Sequence, residues 1–151
     1  MLARAIFALV RFAARKGLTE DSSVAASKHR ARRTGVRGET YAYWYLRRHG
    51  YILIARNYTA PGIKGEIDLI GHDGPVIAFV EVKTRTSGEE QFGRPEDAVT
   101  PDKMHALRRM ARQFLAERRI PQVKCRFDVL AIESPPGQPP VVRLHKAAFS
   151  A

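Results

Sequence analysis

At 151 residues, 44% of them hydrophobic, the chain is long enough for one domain with a buried core, and its single cysteine excludes an internal disulfide or a Cys-rich zinc site. No apolar run approaches the roughly 20 residues needed to cross a bilayer, and the lone thiol fits a reducing, cytoplasmic setting. The formal net charge of +11 points to a polyanionic partner, nucleic acid or an anionic membrane surface, and leaves the fold open.

The charge is uneven: residues 1–37 hold nine Lys or Arg against two Asp or Glu. The opening segment MLARAIFALVRFAARKG puts Leu2, Ile6, Leu9 and Ala13 on one helical face, with Arg4, Arg11 and Arg15 opposite. Arg11 interrupts the apolar stretch and no small-residue cleavage site follows, which argues against a secretory signal. An Arg-rich amphipathic start also resembles a transit peptide or a membrane-surface helix. The expectation is a basic N-terminal extension over residues 1–34, partly helical or disordered, contributing electrostatics rather than core. Its polar stretch TEDSSVAASKHRARRTG ends in Lys28, Arg30, Arg32 and Arg33, which suit phosphate contacts.

The compact domain is expected over residues 35–151. GETYAYWYLRRHG reads as a helix closed by Gly50, with arginines in its last turn. YILIARNY reads as a strand, and Pro61-Gly62 as a turn. GEIDLIGHDG and PVIAFVEVKT flank the turn signal Asp73-Gly74 and predict a hairpin. A Gly-rich charged loop, RTSGEEQFGRPED, follows. The next helix has Thr100 as N-cap, Pro101 in the first turn, Val99 positioned to staple onto Met104, and an apolar stripe of Leu107, Met110, Ala111 and Phe114. RFDVLAI is a fourth strand; VVRLHK, after the breaker run SPPGQPP, is a fifth strand or an edge extension. The order α-β-β-β-α-β-β predicts a central mixed β-sheet flanked by helices.

Alternation along the hairpin gathers the chemistry. Glu81 and Lys83 share one face of their strand, and Val80 and Val82 the other. On the preceding strand Glu66, Asp68 and Ile70 share a face, with Ile67 and Leu69 opposite. These charges fit either a half-solvated sheet face or one side of a catalytic site. Two helical residues favour the site: Glu39 lies in line with Ala42, Tyr43 and Leu46, and Lys103 lies four residues before Leu107. The spacing aligns both with the packed face, where a charge is costly unless paired or metal-bound; the alternative is that Lys103 snorkels to solvent from the helix's first turn. Carboxylates without His or Cys are hard ligands suited to Mg²⁺ or Mn²⁺. Within YAYWY, Trp44 and Tyr45 are expected to pack, leaving Tyr41 or Tyr43 for a substrate. Asp128 is expected to be structural, and Cys125 to act as a small hydrophobe.

The segments GETYAYWYL, GEIDLI, VEVKTR, FGRPEDAVTPDK and RFDVLAI, in that order over about residues 35–133, resemble the YraN-like family of bacterial proteins. That family is in turn similar to the Holliday-junction resolvases of the PD-(D/E)XK nuclease superfamily. The resemblance implies a restriction-endonuclease-like α/β core. It assigns catalytic positions to Asp68, Glu81, Lys83 and Glu39, with metal held by Asp68, Glu81 and the backbone carbonyl of Val82, and with Glu66 and Lys103 in support. Ile67 stands where the superfamily has proline, a position with no catalytic atom to lose. The implied activity is metal-dependent hydrolysis of phosphodiesters in DNA, favoured over RNA, in branched or recombining substrates, with pairing into a homodimer. Arg85, Arg108 and Arg109 join Arg30, Arg32 and Arg33 as expected phosphate contacts. The alternative is a nucleic-acid-binding protein that keeps the fold without cleaving.

Overall fold

The computed structural model describes residues 2–17, 24–86, 99–135 and 137–150. Two helices, α1 (Leu2–Gly17) and α2 (Val24–Arg48), precede three strands, β1 (Ile52–Tyr58), β2 (Ile67–Asp73) and β3 (Val76–Thr86). Helix α3 (Pro101–Glu117) then leads to β4 (Cys125–Ser134) and β5 (Val141–Phe149). The strands form one mixed sheet in the order β1-β2-β3-β4-β5, antiparallel except for the parallel pair β3–β4. The expected sheet flanked by helices is therefore present, and VVRLHK lies in a full fifth strand.

Local chemistry sets the element ends. Gly50 takes a left-handed φ of 91°, its N–H donates to the carbonyl of Arg47, and the N–H of Tyr51 donates to that of Leu46. This pair of bonds is a Schellman closure of α2, which a residue with a Cβ would disfavour. Thr100 caps α3 by accepting from the Lys103 N–H at 3.3 Å, with Pro101 in the first turn. Most of the loop RTSGEEQFGRPED lies outside the described residues.

The sheet carries a core on each face. On one side Ile70, Ile77, Phe79, Phe127 and Val129 pack with Leu107, Met110 and Phe114 of α3. On the other, Leu69, Ala78, Val80, Leu130 and Ile132 meet Tyr41, Ala42 and Leu46 of α2. Burial on both faces explains the nearly unbroken apolar runs of β2 and β3.

Four expectations need correction. Helix α2 begins at Val24, so the polar stretch TEDSSVAASKHRARRTG, whose composition reads as a linker, is helical from there; its Ala, Lys and Arg content favours helix. Phe7 of α1 is only 4% exposed, with its ring 5.2 Å from that of Tyr41. Residue 7 thus belongs to the core rather than to a purely electrostatic extension. The same contact buries Tyr41, which removes it from any substrate surface. Ile67 packs with Ile70 on the α3 side, not with Leu69, because β2 leaves its regular pairing with β3 beyond Leu69.

Asp128 is fully buried and accepts from Arg126, from Tyr51 and from the N–H of Ala147. Arg126 also pairs with Asp73, and Lys146 does the same. Burial and the neighbouring Asp128 charge hold the Tyr51 phenol well above its ordinary range. This network ties β5 to the β2–β3 turn, a structural role, as the sequence predicts for Asp128.

Candidate functional site

The ladder between β2 and β3 ends at the pair Leu69–Val80, while β3 continues beside β4 as far as Thr86–Ser134. Beyond Leu69 the edge of β3 has lost its backbone partner. The next N–H on that edge, Val82, donates instead to Asp68 Oδ2 at 2.6 Å. A side chain thus satisfies a part-buried donor that a strand would otherwise pair, and the carboxylate is fixed in the gap between the two strands.

Helix α2 reaches the same gap from the other layer. A Cβ on Gly38 would lie 1.9 Å from Thr84 Oγ1, so only glycine lets α2 approach β3 this closely. The next residue is Glu39. Its carboxylate accepts from Asn57 Nδ2 at 2.8 Å, and Asn57 presents that amide from a left-handed backbone (φ 48°) at the end of β1. Asparagine tolerates this conformation better than most residues. Ligand atoms of Glu39, Glu66 and Asp68 then lie within 4.8 Å of one another.

Glu81 stands beside this trio and is 5% exposed. Its Oε1 meets Lys83 Nζ at 3.0 Å and Lys103 Nζ, from the first turn of α3, at 3.3 Å. Its Oε2 is buried with no hydrogen-bond partner among the described residues. Burying a carboxylate oxygen without a partner is expensive. Burial, then the charge of Glu81, raises the Asp68 carboxyl to about 7; the Val82 N–H opposes the rise, Glu39 adds to it and Lys103 opposes it. Carboxylates crowded at this density repel unless a cation sits among them.

The structure brings together Asp68, Glu39 and Glu66 as one cluster, with Glu81, Lys83 and Lys103 as an ion-paired group at its side. Glu66, expected in a supporting role, lies within this cluster. Asn57 and Gly38 were not apparent from their own residue types: an Asn beside a strand end and a Gly inside a helix carry no chemical signal until their neighbours are placed. The phosphate-contact arginines are dispersed. Arg108 donates to the carbonyl and hydroxyl of Ser150, Arg109 is exposed on α3, and Arg85 is half-buried on β3. Arg30, Arg32 and Arg33 lie on α2, with side chains outside the described residues.

Fold and site together define an α/β protein with a five-stranded mixed sheet and a cluster of carboxylates, flanked by two lysines, where two strands part. No described helix is long and apolar enough to cross a membrane. The chain belongs to the uncharacterised protein family UPF0102, whose profile matches residues 38–132; this is the YraN-like family to which the five segments point. It is 40% identical to the UPF0102 protein of Koribacter versatilis over 117 residues, covering 78% of this chain and 79% of that one. It is 43% identical to the Geobacter metallireducens protein over 76% of this chain and 90% of the relative. For the Symbiobacterium thermophilum protein the identity is 43%, over 80% and 99%. The family match opens at Gly38 and contains every residue of the acidic cluster and both lysines.

Proposed function

We propose that the protein is a metal-dependent endonuclease that hydrolyses phosphodiester bonds in DNA, with branched or recombining DNA as its preferred substrate. One observation carries the reading: a buried Glu81 oxygen without a partner stands beside three clustered carboxylates in a chain of net charge +11. A protein that only bound phosphates would gain nothing from acids facing them.

The donor set fits a hard divalent cation. Asp68, Glu81, Glu39 and Glu66 offer oxygen only, which suits Mg²⁺ or Mn²⁺ and excludes a thiolate-rich zinc site. When bound, such an ion supplies a Lewis acid that lowers the pKa of water and offsets phosphate charge. The chain's own residues do the rest. The Val82 N–H and the Asn57 amide hold the Asp68 and Glu39 carboxylates in fixed orientations, so no reorganisation is needed when a cation arrives. Lys83 keeps an ammonium beside Glu81, where it orients a water or donates to a phosphate oxygen. Lys103 neutralises the same carboxylate from α3 and holds that helix over the site. Symmetric cuts in a branched substrate would require two such sites, and hence paired chains.

The test is incubation of purified protein with linear, flapped and four-way DNA in Mg²⁺, Mn²⁺ or EDTA, with Asp68→Ala alongside and sedimentation to read the assembly state. Cleavage that needs the metal and vanishes in Asp68→Ala supports the reading. DNA binding without cleavage of any substrate overturns it in favour of a binding protein.

A further inference from the structure

Several of the described arginines are committed to polar partners within the fold. Arg126 is spent on Asp73 and Asp128, Arg143 on Glu133, and Arg108 on Ser150. Arg48 and Arg118 lie over the rings of Phe7 and Phe114. Arg47 and Arg56 differ from these in sharing one ring, Tyr43, on the helix that carries Glu39. Both are exposed, and among the described residues neither forms an ion pair. Instead they are laid against aromatic rings: Arg47 lies 5.8 Å from the Tyr43 centroid and 5.7 Å from that of Trp44, and Arg56 lies 5.0 Å from Tyr43. Arg47 also donates to the Tyr43 hydroxyl at 3.1 Å.

Their placement follows from the spacing. Glu39, Tyr43 and Arg47 recur every four residues and so form one stripe along α2. The stripe runs about 12 Å from the acidic cluster at a helical rise of ~1.5 Å per residue. Next to it on β1, Asn57 reaches Glu39 while Arg56 reaches Tyr43. The helix that carries Glu39 and the strand whose Asn57 holds it therefore also place, one to two turns away, a pair of guanidinium groups against Tyr43. A guanidinium held against a ring keeps N–H donors for a phosphate and loses less freedom on meeting one.

We propose that Arg47 and Arg56, set by Tyr43 and Trp44, form the strip that holds the DNA backbone as it enters the acidic site. The inference rests on the nuclease reading of that site and names the surface its substrate would occupy.

Trp44 is the chain's only tryptophan, so its emission reports directly on the strip. The experiment titrates full-length protein with duplex DNA in EDTA over a series of salt concentrations, following Trp44 emission and, in parallel, fluorescence anisotropy of labelled DNA. The variants are the double substitution Arg47→Gln/Arg56→Gln and, as comparator, Arg112→Gln on the exposed side of α3. The expected result is an emission change in the wild type. The double variant should lose at least about tenfold in affinity, with a salt slope shallower by roughly 1.8, or 0.9 for each phosphate contact removed. Arg112→Gln should retain both. An unchanged slope and affinity in the double variant, or an equal loss in Arg112→Gln, overturns the proposal. Cleavage in Mg²⁺ is scored separately. Binding that depends on Arg47 and Arg56 without cleavage leaves the strip standing and removes the nuclease; cleavage indifferent to them does the reverse. No DNA binding by the wild type removes both.

Discussion

Val82 gives its backbone N–H to the carboxylate of Asp68 at 2.6 Å, at the point where β2 ceases to pair with β3. A hydrogen bond of the sheet has been replaced by one to an acid, so the architecture itself orients the group that repels its neighbours most. Asp68→Asn keeps an oxygen able to accept from Val82 and should leave the fold intact. It removes the charge, however, and Glu81→Gln does the same for the carboxylate with the orphaned oxygen. Titration calorimetry with Mn²⁺ should show each substitution weakening binding by at least about tenfold, as even outer-shell changes at metal sites do. Equal affinity in wild type and both variants would remove the metal from this site.

Gly38 should prove as restrictive as the acids. In an exposed helix, Gly→Ala stabilises by about 1 kcal/mol. Here the new Cβ would meet Thr84 Oγ1 at 1.9 Å and Thr84 Cβ at 3.0 Å, so α2 must shift and carry Glu39 with it. Overpacking of this kind costs about 1–3 kcal/mol, enough to cancel or reverse the gain. Gly38→Ala should therefore weaken Mn²⁺ binding, and Gly38→Ala/Thr84→Gly, which removes all three clashing atoms, should recover it. If the single variant binds the metal like wild type, the spacing of α2 and β3 does not set Glu39.

These two residues also show what a sequence can reveal. Glu81 and Lys83 were legible because a strand's period of two puts them on one face, and Thr100-Pro101 because capping is local chemistry. Glu66 precedes the strand, so alternation says little about where its carboxylate goes. Ile67 was assigned to the wrong layer because alternation assumes a continuous ladder, and the ladder stops at Leu69. Asn57 and Gly38 act only through contacts with residues far along the chain, Glu39 and Thr84. Phe7 lay in an amphipathic segment whose partner face on α2 could not be read from α1 alone.

Phe7 gives a stability prediction. Its ring packs on Tyr41 and Tyr45 and lies under the Arg48 guanidinium. Phe7→Ala should lower the unfolding free energy by about 3 kcal/mol, the low end of the range for buried Phe. Urea denaturation would check this, and Leu9→Ala, at a position 70% exposed, is the comparator expected to change little. A null effect at Phe7 would return α1 to the status of an appendage.

At the opposite end of the sheet, Asp73 gives a pH dependence. Hydrogen bonds from Lys146 and then Arg126 hold its carboxyl below the ordinary range. A folded-state pKa below the unfolded one means that the stabilisation is present above the unfolded value, near 3.9, and is lost as pH falls through the folded value. Asp73→Asn should accordingly be less stable than wild type at pH 7, with the gap closing as pH falls below about 4. Paired urea titrations across that window test the sign. A gap that persists unchanged in acid would mean the carboxylate's charge is not what Arg126 and Lys146 use.

The chemistry itself turns on Lys83. Two ammonium groups meet Glu81 Oε1, at 3.0 Å from Lys83 and 3.3 Å from Lys103, but they arrive from different elements. Lys83 shares a strand with Glu81 and is fixed relative to the acids by the β3–β4 ladder. Lys103 sits in the first turn of α3, beside the cap, and moves with that helix. If Lys83 directs the water or stabilises phosphate charge, Lys83→Ala should lose at least about a hundredfold in cleavage rate, the scale of a positioned acid–base or electrostatic group. Mn²⁺ affinity and DNA affinity should change far less, because the metal is held by oxygens and DNA by cations elsewhere. Lys83→Arg should rescue only in part, since a planar guanidinium cannot occupy the place of a compact ammonium against Glu81. Lys103→Ala should cost less in rate and more in stability, by freeing the start of α3. Single-turnover cleavage of saturating DNA separates these outcomes. If Lys83→Ala cuts as fast as wild type, the lysine serves only to neutralise Glu81, and the group that activates the water must be sought elsewhere on the chain.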